Sequence, residues 1–338
     1  MDPYPIRLPE RLDVHRILNW RKQYGQTEKK SHSLSWLNVI TPRAFPIEPL
    51  PGGGKINRFL WDGLMKRVDR FVKKKACLLV IGKPSELAFQ LLMRYPTVRS
   101  VFDLMDDFPT FFQGVSKRAT AKCMHLIAGK ADRISVSSKA LKNRLHDYSE
   151  KIRIIPNACT VDLPAAVSQR KKKDHEPVLG YVGTIGHWFD WPLVCHLAER
   201  NPTSCIRLIG PNYSTQPKVI PDNIQMLPGC DHSVAMDLMQ GFSVGLIPFK
   251  CNVLTESVDP IKYYEYRSIG LPILSTRFGE MIYREGQTGI FFMDESTNLS
   301  NLVASALSCH LSANEIQEFR KSNSWDKRFE TGFGDWLS

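Results

Sequence analysis

No apolar run in this chain approaches the roughly 20 residues that a membrane-spanning helix needs. The longest, such as Ala76–Gly82 and Val244–Phe249, fall far short, so no spanning segment is expected. The eight cysteines are scattered singly, with no Cys-x-x-Cys pair. That spacing argues against a zinc site or a disulfide framework and fits a reducing compartment. The opening residues Met1-Asp2-Pro3-Tyr4-Pro5 carry neither a basic n-region nor an apolar h-region, so secretion through a signal peptide is not expected. RNA-binding signatures and aromatic platforms are also missing beside the basic residues, which makes nucleic acid an unexpected partner.

What is present is a chain of 338 residues, 43% hydrophobic and 23% charged, long enough for two ordinary cores. Its formal charge of +11 is unevenly placed. Residues 1–165 hold 29 Lys+Arg against 15 Asp+Glu, and residues 166–338 hold 16 against 19. The whole excess therefore lies in the first half, where it can attract an anionic lipid surface or an anionic substrate, or simply serve solubility.

The order of elements gives the fold class. Residues 1–34 are polar, rich in proline and arginine, and show no clear period. A first strand is expected at Trp36–Thr41, then a loop with the triplet Gly52-Gly53-Gly54. A basic amphipathic helix follows from about Asn57 to Lys74, with Phe59, Leu60, Leu64, Val68 and Phe71 at helical spacing. Strands are expected at Cys77–Ile81, Val98–Asp103, Arg133–Val136 and Lys151–Ile155, separated by helices at Ser85–Arg94, Val115–Gly129 and Lys139–His146. After a polar stretch the alternation restarts, with strands at Val178–Val182, Cys205–Ile209, Ile224–Leu227, Val244–Ile247 and Ile273–Ser275. Helices are expected at Pro192–Glu199, Ser233–Met239 and Ile261–Ile269. This rhythm predicts an α/β protein of two doubly wound, Rossmann-like domains facing a cleft, with ligands beyond the carboxyl ends of the strands. The expected division is 1–157 for a first domain that lacks its opening β-α unit, 158–176 for a linker, 177–322 for a second domain, and 323–338 for a C-terminal helix returning towards the first.

Three segments carry candidate chemistry. In Leu179-Gly180-Tyr181-Val182-Gly183-Thr184-Ile185-Gly186-His187-Trp188-Phe189-Asp190-Trp191 an apolar strand ends at a glycine turn that leads into a helix. Such a turn lets backbone amides approach a diphosphate, and Asp190 with Pro192 suits the helix start. The aromatics Trp188, Phe189 and Trp191 suit either a domain interface or a cleft wall. In Asp259-Pro260-Ile261-Lys262-Tyr263-Tyr264-Glu265-Tyr266, Pro260 begins a helix and Gly270 ends it. Lys262 and Glu265 share one face: the lysine suits phosphate and the carboxylate suits ribose hydroxyls, although an exposed ion pair would look the same. In Asp103-Leu104-Met105-Asp106-Asp107 three acids crowd a loop after a strand. Neighbouring carboxylates raise one another's pKa, so one of them can act as general base, with Asp106 preferred over Asp103 and Asp107. An N-cap cluster is the plainer alternative.

Together the first and second of these segments, around Gly183 and Glu265, resemble the nucleotide-binding half of GT-B glycosyltransferases, specifically bacterial group 1 enzymes of polysaccharide and teichuronic-acid-type assembly. The likeness includes Arg207-Leu208-Ile209-Gly210-Pro211, Val244-Gly245-Leu246-Ile247-Pro248-Phe249, Ile155-Pro156-Asn157 and Asn323-Ser324-Trp325-Asp326. It spans roughly Trp36 to Leu337 and is strongest from Val178 to Thr276. The resemblance implies a sugar transferred from a nucleotide-diphosphate sugar to a saccharide or lipid-linked acceptor, without a metal or other cofactor; it favours retention, and inversion, in which Asp106 would have to act as base, stays open. It implies Gly183, Thr184 and Ile185 as the diphosphate loop, His187 among the donor-binding residues, and Leu227 and Pro228 at the nucleobase. Glu265 takes the place of the second acid of the family's Glu-x7-Glu element, Lys262 the place of the cation, and Asp259 joins the donor-binding set. The first acid would fall at Ser257, with Glu256 and Asp259 nearby, which departs from the pattern. The acids Asp103, Asp106 and Asp107 would serve the acceptor. A cytoplasmic protein held at the inner face of the membrane by its basic first domain is the implied location. An epimerase of the same fold, or a catalytically impaired sugar-nucleotide-binding protein, are the competing readings.

Overall fold

The computed structural model describes residues 37–337 except 46, 49, 74, 75, 161–175 and 295. Trp36 and most of the expected linker therefore lie outside the described residues, as do Lys74 and Lys75. Two compact units account for the chain. One runs to Ser135 and takes in Leu145–Ile152, and the other comprises Val136–Arg144 and the residues from Arg153 onward.

The first sheet is built from β1 (Leu78–Ile81), β2 (Arg99–Leu104), β3 (Arg133–Val136) and β4 (Ile152–Ile154), in that spatial order. Leu78 pairs with Arg99 and Ile81 with Phe102 in a parallel register. The accompanying helices are α1 (Asp62–Val72), α2 (Glu86–Arg94), α3 (Gly114–Lys130) and α4 (Lys139–Arg144). Ser85 caps α2 by accepting the Ala88 amide at 3.1 Å, an ordinary N-cap contact.

Two expectations for the start of this unit need correction. Leu37–Thr41 forms no strand among the described residues. The helix expected from Asn57 is broken at Trp61, which has φ −102° and ψ 0° and closes a 3-10 turn at Asn57–Leu60 before α1 begins. The cause is packing. Trp61 is 1% exposed, and its indole donates to the Arg43 carbonyl at 2.7 Å, so its side chain is committed to the core and its backbone follows. Asn57 acts likewise, accepting the Phe45 amide at 2.7 Å and donating to the Phe45 carbonyl at 3.1 Å.

The second sheet is doubly wound. Its strands are β5 (Val178–Val182), β6 (Cys205–Ile209), β7 (Ile224–Leu227), β8 (Val244–Ile247), β9 (Ile273–Ser275) and β10 (Ile290–Phe292), all parallel, in the order β10-β9-β8-β5-β6-β7. The chain leaves β5 in one direction and returns to lay β8 on its other side, which makes the β5–β8 boundary the switch point. Its helices are α5 (Trp191–Arg200), α6 (His232–Met239), α7 (Ile261–Ser268), α8 (Leu299–Ser308), α9 (Ala313–Ser322) and α10 (Trp325–Leu337). Asp190 caps α5 through the Leu193 amide at 3.1 Å, with Pro192 in the first turn. Gly270, at φ 81°, ends α7 while the Leu271 amide returns to the Tyr266 carbonyl at 3.0 Å. A left-handed residue of this kind after a helix strongly favours glycine.

β8 is buried along its whole length, which explains its near-continuous apolar sequence. Phe189 and Trp191 are 1% and 4% exposed, and both belong to this unit's own core. Trp188 packs against that core. The aromatics after the glycine turn thus stabilise the second unit. At its end, α10 reaches Arg153 and Asn157: Arg153 donates to the Gly332 carbonyl at 2.8 Å and Arg328 to the Asn157 carbonyl at 3.4 Å. Cys159 is buried and exchanges backbone bonds with Asn323 and Trp325.

Candidate functional site

The carboxyl ends of β5, β6 and β7 converge through two glycines. The Gly183 amide donates to the Ile209 carbonyl at 2.8 Å, and the Gly210 amide donates to the Leu227 carbonyl at 3.1 Å. Gly210 has φ 146°, and a Cβ there would overlap the Gly183 carbonyl oxygen. Only glycine lets the end of β6 pass so close to the turn. Ile185 is tied to the same neighbour, its amide donating to the Pro211 carbonyl at 2.9 Å. The Tyr181 hydroxyl donates to the Thr184 carbonyl at 2.8 Å. The loop is therefore fixed before any ligand arrives. Of the amides expected to meet a diphosphate, those of Gly183 and Ile185 are already occupied, while that of Thr184 makes no backbone bond among the described residues.

Lys262 completes this turn. Gly183 has φ 141°, and a Cβ built on it would lie 2.5 Å from the Lys262 Nζ. The ammonium thus lies against the glycine, in space that any other side chain would fill, and 5.4 Å from the centre of the Tyr181 ring. Burial lowers the Lys262 pKa from the ordinary lysine value, and the Glu265 carboxylate offsets part of that shift. The site thus holds a partly desolvated cation beside a backbone turn, a combination suited to an anionic oxygen.

Glu265 lies one helical turn along α7, with its side chain 14% exposed. Its Oε1 is 3.1 Å from the Nε2 of His232, the first residue of α6. His232 is a site residue that the sequence reading missed. Its signal was its place just beyond Leu227 and Pro228, in the loop that follows a strand end. Leu227 is half-buried and Pro228 exposed at that strand end, and His187 is exposed beside Trp188.

Asp259 is elsewhere occupied, and this corrects its assignment to the donor-binding set. It is 4% exposed. Its Oδ1 accepts from Arg284, and its Oδ2 accepts the Tyr264 hydroxyl at 2.9 Å and the Asn157 amide at 2.8 Å. The Arg284 guanidinium also stacks 3.6 Å from the centre of the Tyr263 ring. Both carboxylate oxygens are thus engaged by protein groups, whose hydrogen bonds replace those of water. Glu256 pairs with Arg144 at 3.3 Å. Ser257 is fully buried, and its hydroxyl has no hydrogen-bond partner in the described structure. Neither neighbouring acid therefore replaces the carboxylate that Ser257 lacks.

In the first unit the acids are spread along β2 and the turn after it. Asp103, on β2, accepts the Ser135 hydroxyl at 2.7 Å. Burial raises its pKa, and the Ser135 bond opposes the shift. Burial alone raises the pKa of Asp106, so the expected mutual repulsion of adjacent carboxylates is not the cause. Asp106 is half-buried and its carboxylate accepts no hydrogen bond among the described residues. Asp107 is 2% exposed, and its carbonyl accepts the Thr110 amide and hydroxyl at 2.8 and 2.7 Å to start the 3-10 turn Phe108–Phe111. Among the three, Asp106 has the environment of a general base and Asp107 that of a structural turn residue. Among the described residues no group of three or more His, Cys, Asp and Glu is placed to hold a metal ion.

The architecture is that of the GT-B glycosyltransferases. Anabaena HepE in complex with UDP aligns at TM-score 0.58 with 12% identity, covering 84% of this chain and 83% of that one. A starch synthase IV catalytic domain from Arabidopsis thaliana, bound to ADP and acarbose, aligns at 0.56 with 11% identity, covering 83% and 76%. An α,α-trehalose-phosphate synthase (UDP-forming) from Burkholderia vietnamiensis aligns at 0.56 with 13% identity, covering 85% and 76%. At the level of sequence, the chain is 24% identical over 165 residues to the "Putative teichuronic acid biosynthesis glycosyltransferase TuaH" of Bacillus subtilis (strain 168). That match covers 44% of this chain and 41% of the relative, so it spans less than half of either protein. No family model matches the chain.

Proposed function

We propose that the protein is a glycosyltransferase that moves a sugar from a nucleotide-diphosphate sugar to a saccharide or lipid-linked acceptor in cell-surface polysaccharide assembly. The observation that carries this reading is the Lys262 ammonium lying against Gly183, with Glu265 one helical turn along, at the carboxyl ends of β5 and β6. The turn and the lysine take the diphosphate, while Glu265, oriented by His232, accepts ribose hydroxyls. Leu227 and Pro228 lie where the base would lie against backbone. The fold-mates that hold UDP, and the HepE complex that holds UDP-glucose, support a uridine nucleotide as the first donor to try.

On this reading the transfer uses protein groups rather than a metal to meet the diphosphate. Negative charge develops on the leaving diphosphate as the glycosidic bond breaks, and a preorganised, partly desolvated ammonium and the Thr184 amide stabilise it. With retention the departing phosphate accepts the acceptor's proton, and Asp106 then orients the acceptor hydroxyl. The protein works at the cytoplasmic face, held by exposed groups of the first unit. Trp61 is core, and Leu64 packs beside it. Phe59 and Phe71 are 86% and 59% exposed instead, and Lys66, Arg67, Arg70 and Lys73 are exposed along α1. Among the described residues no helix is long and apolar enough to cross a membrane.

Calorimetry of wild type and Glu265→Gln with UDP tests the donor site. Loss of a charged hydrogen bond is expected to cost about 1.5–3 kcal/mol with thermal stability unchanged. Equal affinity in the folded variant would remove Glu265 from the site. Incubation with UDP-glucose and no acceptor separates transfer from epimerisation, since only an epimerase forms a different sugar nucleotide from the donor alone.

A further inference from the structure

A cavity of about 800 Å³ lies wholly within the second unit, between α4 and the loops that follow β8 and β9. Its size falls in the range of small-molecule pockets, roughly 300–1,000 Å³. None of the residues read above as the donor set, Gly183, Thr184, Leu227, Lys262 or Glu265, lines it. The loop after β8 contributes Asn252 and Glu256, and the loop after β9 contributes Arg277, Glu280 and Tyr283. The two loops are joined, since the Glu280 amide donates to the Val258 carbonyl at 3.0 Å. Gly279, at φ 44°, has no room for a Cβ against that same carbonyl oxygen. The first of these loops runs straight on into α7, so one hydrogen-bonded segment forms both the cavity wall and the start of the donor helix.

The lining leaves donors and acceptors of both kinds without partners among the described residues. Glu280 is half-buried; its Oε1 accepts the Lys139 amide at 2.7 Å, and its Oε2 accepts nothing. The Asn252 Oδ1 accepts the Leu254 and Thr255 amides at 3.0 and 3.2 Å, while its Nδ2 donates to nothing. Arg277 engages Glu285 through one nitrogen, and its other N–H groups stay unpaired. Tyr283 is 53% exposed and its hydroxyl is unpaired, while the Lys139 ammonium, 3.5 Å from the ring centre, holds the ring in place. Neither sign of charge is in excess: Arg144 and Arg277 line the cavity with Glu256 and Glu280, and Arg144 pairs with Glu256 at 3.3 Å. A sugar ring answers this set, because its hydroxyls both donate and accept and its C–H face packs on an aromatic ring. An anion would meet Glu280, a cation would meet Arg277, and an apolar ligand would strand every one of the unpaired groups.

We propose that this cavity binds a neutral sugar ring of the acceptor, with Glu280 accepting from a ring hydroxyl, Asn252 and Arg277 donating to ring oxygens, and Tyr283 against the C–H face. The role as acceptor rests on the glycosyltransferase reading, whereas the sugar chemistry rests on the cavity alone. The assignment puts part of acceptor recognition in the second unit, beside the donor helix, and makes the acceptor a glycan rather than a bare lipid carrier.

The test is saturation-transfer NMR on the full chain with the methyl glycosides of glucose, galactose, N-acetylglucosamine and N-acetylgalactosamine. Glucuronic acid and glucosamine serve as the anionic and cationic controls. At least one neutral glycoside is expected to bind, and to bind more tightly than either charged sugar. Glu280→Gln keeps an oxygen for the Lys139 amide and turns the free acceptor into a donor, and it is expected to weaken that glycoside about tenfold or more. Tyr283→Ala, at an exposed position, is expected to do the same by removing the aromatic wall. Val219→Ser, 81% exposed and outside the cavity, is expected to bind as wild type. UDP affinity is expected to stay unchanged in all three variants. Failure of every neutral glycoside to bind, tighter binding of a charged sugar, or unchanged glycoside affinity in either cavity variant would overturn the proposal. A loss in Val219→Ser as large as in Tyr283→Ala, or a parallel loss of UDP affinity in the cavity variants, would do the same. The UDP titration also separates the two ideas. UDP binding without glycoside binding sinks the cavity assignment alone, and glycoside binding without UDP binding sinks the glycosyltransferase reading while the sugar site stands.

Discussion

Lys262→Met separates what the lysine does for the fold from what it does for the ligand, because the two effects have opposite signs. Burial lowers the folded-state pKa of Lys262 below its ordinary value. Between the folded and unfolded pKa values the unfolded chain binds more protons, so stability rises with pH through that window. Below the window the buried ammonium costs stability. At neutral pH the methionine variant, with an apolar chain of similar length, is therefore expected to melt at the same temperature as wild type or higher. Ligand binding goes the other way. The ammonium is desolvated before the ligand arrives and lies against Gly183, where a Cβ would be 2.5 Å from it. Binding therefore exacts little further desolvation from the lysine, and its charged bond to a diphosphate falls in the upper part of the usual range, about 2–3 kcal/mol. That corresponds to about 30- to 150-fold in Kd. Calorimetry with UDP, beside a thermal melt, measures both. Raising the pH towards the lowered Lys262 pKa is expected to weaken UDP binding in wild type and leave the methionine variant unaffected by this group. A variant that melts well below wild type, or one that binds UDP equally well, would refute the reasoning.

Gly210→Ala is expected to cost on the order of 3 kcal/mol of stability, since φ is 146° and the new Cβ would overlap the Gly183 carbonyl oxygen; chemical denaturation measures it, and a near-neutral result would show that the turn relaxes easily. Asp106→Asn is expected to lower turnover about 10- to 100-fold with donor KM unchanged, the loss of one charged contact to an acceptor hydroxyl. A loss nearer 10²–10⁴-fold would instead indicate a general base and an inverting reaction, which the anomeric configuration of the product by NMR decides. Because burial raises the Asp106 pKa, its folded form binds protons more tightly than the unfolded chain. Its contribution to stability therefore falls as pH rises from the unfolded to the folded pKa, and Asp106→Asn is expected to be neutral or stabilising above that window. For the membrane surface, Lys66/Arg70/Lys73→Glu is expected to lose co-sedimentation with anionic vesicles at low salt, at about 1 kcal/mol per basic residue. Equal pelleting of variant and wild type, or equal binding to neutral vesicles, would exclude electrostatic docking through α1.

Sequence alone located most of the strands. Val178–Val182, Cys205–Ile209, Ile224–Leu227 and Val244–Ile247 were legible to the residue, because short apolar runs between polar turns have few other uses in an α/β chain. The ends of α7 were legible for a local reason too: Pro260 and Gly270 restrict the backbone whatever surrounds them. So was the shared face of Lys262 and Glu265, which follows from helical spacing. β10, at the sheet edge, was missed, since Ile290–Phe292 is only three residues long and carries too little pattern. Contacts distant in the chain were decided elsewhere. The periodicity of residues 57–72 suggested one helix, yet Trp61 is drawn into the core by a carbonyl 18 positions away, and the helix breaks there. Asp259 looked like a ligand-binding acid until Arg284 and Asn157, 25 positions after it and 102 before it, closed around it. His232 became part of the site only when the end of β7 brought it to Glu265, 33 positions away. Backbone preference and hydrophobic period act over a few residues and can be read in the chain. Which charge meets which, and whether water reaches it, depends on segments that only the folded sheet brings together.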